Sequence, residues 1–194
     1  AVMSLAGWSP EDMRLVPSPG VVVNWPTWEL KQDDTARKHW KEELARLEDR
    51  LEEARAYLSL PESQRPVRPE LEALAGKKLF IHANTRFQIE TALEFCKRLK
   101  LNWVLVGGAE AAQLIPQLVE EKVDIIYTQV YRLPELDYQD EDTYYRTPAL
   151  LRAAGLRVAL AGPGSHDNAR WLTQLAAAAW ANGWNEAEAI DSIT

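Results

Sequence analysis

From Lys78 onward, short apolar runs take turns with longer stretches whose apolar residues return every three or four positions. A run of consecutive apolar residues suits a strand buried on both sides, and the three-to-four spacing suits a helix with one apolar face. On this basis Lys78 to Ala83, Trp103 to Val106, Val123 to Thr128 and Leu156 to Ala161 are predicted strands. Helices are predicted over Phe87 to Leu99, Glu110 to Glu121, Pro148 to Ala154 and Asn168 to Ala181, with a longer polar loop from Gln129 to Arg146. Strands joined through helices require crossover connections, so the expected class is α/β with a parallel sheet. Periodicity leaves open whether that sheet is doubly wound or an arc of a (β/α)8 barrel. In both cases ligands collect where strands end and the following loops begin.

The preceding part has a different pattern. Ala1 to Leu30 is rich in Trp, Pro and Gly and reads as loop with one strand at Val21-Val22-Val23. Asp33 and Asp34 open a predicted helix to Leu58 in which Trp40, Leu44, Leu47, Leu51, Ala54 and Leu58 alternate spacings of four and three. The stripe lasts only about two and a half heptads, so packing against the domain is expected rather than a coiled coil. Pro61, Pro66 and Pro69 punctuate a connector. The expected organisation is therefore residues 1–69 as a Trp/Pro-rich segment with a long helix, and residues 70–194 as (β/α) repeats.

Charge narrows the function classes. With 22 Lys and Arg against 29 Asp and Glu, the formal net charge is −7 and no basic cluster stands out, which argues against a nucleic-acid partner. A neutral or cationic small molecule fits better. No apolar stretch reaches the roughly eighteen residues of a membrane span, so no membrane partner is expected. The single cysteine, Cys96, falls in a predicted helix, excludes an internal disulfide and leaves the compartment open, with a lean to the cytoplasm. The chain starts at Ala1, and Glu186 to Thr194 stops within a helical pattern, so a larger parent is expected.

Candidate chemistry lies at the strand ends. His82 closes an otherwise apolar strand, where an imidazole can serve as a metal ligand or simply bond nearby backbone. Asp167 is the candidate acid or base, with helix capping as its structural alternative. Asn84, Glu110 and His166 are candidate substrate contacts. For Glu110 the alternative is a helix's first turn, where a carboxylate complements the dipole. Gly107-Gly108 lacks the spacing of a dinucleotide loop. Asp137, Asp140, Glu141 and Asp142, interleaved with Tyr138, Tyr144 and Tyr145, make an acidic, aromatic loop suited to a lid or to plain connection. No Gly-x-Ser-x-Gly elbow is present.

Taken as a set, Phe80-Ile81-His82-Ala83-Asn84, Val104 to Ala111, Val158-Ala159-Leu160, Asn168-Ala169-Arg170 and Trp184 to Thr194 resemble amidohydrolases of the imidazolonepropionase-related group. The resemblance implies part of a TIM-like (β/α)8 barrel, here as a fragment of a larger chain. It also implies a divalent metal, zinc by expectation, at the strand ends and hydrolysis of C–N bonds in a small cyclic amide. His82 matches the family's fifth-strand histidine. The sixth-strand histidine has no counterpart, since its place falls at Gly107-Gly108, and the aspartate after the last strand is matched only by the displaced Asp167. The expected partners are the small-molecule substrate and the rest of the barrel, from a longer chain, a partner chain or a homo-oligomer. The alternative function is an inactive amidohydrolase-like binding or scaffold module.

Overall fold

The computed structural model describes residues 2–3, 9, 14–16, 19–28, 33–74, 77–134, 140–162 and 170–193. The chain forms two compact units, Ala1–Phe80 and Ile81–Thr194.

In the first unit, β1 (Val2–Met3) and β2 (Arg14–Val16) pair antiparallel, two short strands that the sequence pattern does not announce. β3 (Gly20–Asn24) covers the expected Val21-Val22-Val23 strand. Gly20 is required there, because a Cβ would sit 2.1 Å from the Lys78 carbonyl oxygen and 2.6 Å from the Phe80 ring. Helix α1 (Asp34–Ser59) follows, its first turn capped by the Asp33 carboxylate accepting from the Ala36 N–H. A 3-10 turn (Glu62–Gln64) and α2 (Pro69–Leu74) complete the segment. Of the expected α1 stripe Leu51 and Ala54 are buried, while Leu58 is 40% exposed and its neighbour Tyr57 packs instead, with Ala54, against Leu71 and Leu74. The Tyr57 hydroxyl lies 3.0 Å from both the Pro66 carbonyl and the Glu72 carboxylate, which ties the connector to the helix.

The second unit begins inside β4 (Lys78–Ala83) and continues through α3 (Arg86–Leu99), β5 (Trp103–Gly107) and a 3-10 turn (Ala111–Leu114). It runs on through α4 (Ile115–Glu120), β6 (Asp124–Tyr127), α5 (Thr143–Ala153), β7 (Val158–Leu160), α6 (Leu172–Ala181) and α7 (Glu186–Asp191). The strand order is β3-β4-β5-β6-β7. β5, β6 and β7 pair in parallel, with Val106 beside Ile126 and Ile126 beside Ala159. The expected α/β class with strand–helix alternation is what the molecule has.

Burial follows the pleat. Ile81, Ala83, Ile125, Tyr127, Val158 and Leu160 are buried, as are the helix residues Ile89, Leu118, Leu151 and Leu175. Each fully buried Leu or Ile contributes about 1.5–3 kcal/mol. The alternate positions His82 and Ala159 are exposed and Ile126 is half-buried, while β5 is buried along its whole length.

Two prolines account for two of the places where helices depart from expectation. The segment predicted as one helix from Glu110 splits into the 3-10 turn and α4, because Pro116 has no N–H for the preceding turn. Conversely, α5 starts five residues before Pro148 and keeps that proline inside it. Pro148 cannot donate to the Tyr144 carbonyl, four residues back; the Tyr127 hydroxyl from β6 donates to it instead, at 3.1 Å. A side chain from the neighbouring strand thus repairs the helix.

Candidate binding site at the strand ends

His82 sits on β4 between buried Ile81 and Ala83 and is itself exposed. Two residues on, Asn84 is held by its backbone: its N–H donates to Gln88 Oε1 at 3.0 Å and its carbonyl accepts from the Glu110 N–H at 2.9 Å. Gln88 also closes a capping box with Thr85 at the start of α3, which anchors this corner to the helix. The Asn84 Oδ1 atom is buried without a hydrogen-bond partner.

The end of β5 faces Asn84. Gly107 has φ +104, and a Cβ there would meet Asn84 Oδ1 at 2.5 Å and the Ala83 carbonyl oxygen at 3.0 Å. No side chain fits at this strand end. Gly108, at φ +74, donates its N–H to the Ala83 carbonyl at 2.9 Å, and the Ala111 N–H is returned to the Gly108 carbonyl at 3.0 Å. These amides serve the loop itself rather than an anion. Glu110 Oε2 accepts from the Arg86 N–H at the first turn of α3, where a carboxylate complements the positive end of the helix.

After β6, Gln129 Nε2 donates to Thr128 Oγ1 at 2.7 Å and Arg132 reaches Gln129 Oε1 at 3.4 Å. The Arg132 guanidinium lies 5.7 Å from the Tyr144 ring centre. In the sequence Thr128 and Gln129 are only the junction of a predicted strand and a polar loop; the side-chain chain from Thr128 to Arg132 needs the fold of that loop. Part of the acidic, aromatic loop, including Asp137 and Tyr138, lies outside the described residues, as do His166 and Asp167. At the described strand ends Asn84 lies against Gly107, whose carbonyl accepts from the Thr128 N–H at 3.3 Å, while His82 is exposed on β4 and Glu110 is turned to the α3 N-terminus.

This donor set does not fit a divalent-metal centre on its own. A catalytic zinc takes three protein ligands, mostly His, Cys or carboxylate. Among the described residues no three such side chains converge. The second position at which the resemblance needs a histidine is a glycine with its side-chain space filled.

No family model and no curated protein sequence matches the chain. Among solved structures, an amidohydrolase from Thermotoga maritima MSB8 superposes with a TM-score of 0.74 at 18% identity, covering 99% of this chain and 54% of that one. The fold is amidohydrolase-like. The five strands and their helices fit a portion of a TIM-type barrel, and the chain spans about half the length of that amidohydrolase. At this identity the likeness carries the amidohydrolase-like architecture and not its chemistry.

Proposed function

We propose that this amidohydrolase-like chain supplies a barrel portion whose strand ends bind a small polar molecule, without itself assembling a catalytic metal site. The observation that supports it is the closed end of β5, where Gly107 has no room for a ligating side chain and Asn84 fills the space. His82, Thr128 and Gln129 offer hydrogen-bond donors and acceptors, suited to an amide or urea-like group. The remaining barrel strands come from a longer chain, a partner chain or another copy.

A second reading, metal-dependent hydrolysis of the C–N bond of a cyclic amide as in the imidazolonepropionase-related group, is favoured by the exposed imidazole of His82 at a strand end. It requires further zinc ligands from residues beyond those described, with Asp167 as acid or base and His166 as a substrate contact. Elemental analysis of the longest soluble form, before and after chelation and with His82→Ala, separates the two. The binding module retains no stoichiometric transition metal, whereas a metal lost in His82→Ala would establish the hydrolase reading.

A further inference from the structure

The outer edge of β7 is met by the chain just beyond α7. On either side of this strand Ala161 donates to Tyr127 and Arg157 accepts from Ile125, so those residues turn towards β6. Leu160, of opposite parity, turns away from β6, and its N–H donates at 2.8 Å to the carbonyl of Ser192, just beyond α7. Helix ends leave carbonyls without partners, and sheet edges leave N–H groups without partners. Here each satisfies the other. Ser192 is only 8% exposed, with its N–H bonded to Glu188 and its hydroxyl to Ala189, so its carbonyl is held in place. Asn185 caps the start of α7 through the Glu188 N–H at 2.8 Å, and Glu188 pairs with Arg152 of α5 at 3.6 Å.

We infer that α7 and Ser192 form a clamp over the edge of β7 which must leave before any further strand can pair there. Joining another barrel strand and releasing the clamp are then one event, and the resting chain is guarded against strand pairing with its own copies. This rests on the barrel-type fold, not on the ligand proposed above.

Amide hydrogen exchange on the full chain tests it. Leu160 is protected in the parent, and Asn185→Ala speeds its exchange about fivefold to tenfold, as loss of a helix cap implies, while Ile125 and Ile126 stay unchanged. Ala189→Asp, which puts a charge at a buried α7 position, gives a larger acceleration and, by sedimentation, a larger species than the parent. An unprotected Leu160 amide in the parent, exchange unmoved by either variant, or Ala189→Asp sedimenting as the parent does despite an exposed Leu160 would each overturn the clamp. Metal analysis bears on none of these outcomes, so failure here leaves the binding reading standing.

Discussion

The two faces of the sheet in the second unit are built to different rules. On the first, Ile81, Ala83, Ile125, Tyr127, Val158 and Leu160 are buried, and the polar atoms that reach it are spent on the fold: Tyr127 completes α5 around Pro148. On the other, β5 alone is covered at Val104 and Val106, while His82 and Ala159 are exposed. The contrast teaches where chemistry can be sought. A group that repairs a helix or fills a glycine's space is committed, and a group that contributes nothing to packing is free to meet a ligand.

The sharpest attack on this contrast is Gly107→Ala. Left-handed strain adds to a clash with Asn84 and the Ala83 carbonyl, and a loss of about 2–4 kcal/mol is expected in urea unfolding. Combining it with Asn84→Ala should recover part of that loss; strict additivity would show that Asn84 is not what closes the site. Next is Tyr127→Phe, which removes the hydroxyl that donates to the Tyr144 carbonyl and should cost about 1–3 kcal/mol by the same measurement. An effect near zero would mean that α5 tolerates Pro148 without help.

Burial makes an alkaline prediction. It pushes the Cys96 thiol from its ordinary value of 9.0 up to about 12 and raises the Tyr127 phenol as well. Both groups are neutral when folded. Above pH 9 the unfolded chain loses the thiol proton first, so stability present below that pH falls as pH rises towards 12. Each such group steepens the fall by at most about 1.4 kcal/mol per pH unit, and Cys96→Ala should flatten it. A smaller change is expected for Glu110→Ala, about 0.3–1 kcal/mol through the α3 dipole, with ligand affinity unchanged. Smallest of all, His82→Ala should move stability by less than about 0.5 kcal/mol while weakening the small-molecule affinity measured by calorimetry. A large stability loss there would place His82 with the packed face.

Most of this architecture is legible in the amino-acid order. The apolar runs at Lys78 to Ala83 and Trp103 to Val106 became β4 and β5 nearly residue for residue, and α1 and α3 began and ended close to where Asp33 and the Phe87 to Leu99 pattern placed them. Burial of a periodic apolar set depends on local spacing, which the sequence carries directly. The strand ends are less legible, because a role there depends on what lies across the gap. Glu110 looks the same in sequence whether it meets substrate or the Arg86 amide, and Pro148 looks like a helix start unless Tyr127 is known to stand beside Tyr144.

Local pattern was therefore enough for the class of the protein: strands, helices, their alternation and the polar corners between them follow from spacing and from Pro and Gly. Which polar groups remain free followed from the fold alone. Asn84 and Gly107 stand twenty-three positions apart in the chain, and so do Ser192 and Leu160 at thirty-two; in each pair one residue disposes of the other's space or hydrogen bond. Such pairings have no signature in either residue's neighbours, because hydrogen bonding and steric exclusion act at contact distance and only folding brings those residues into contact.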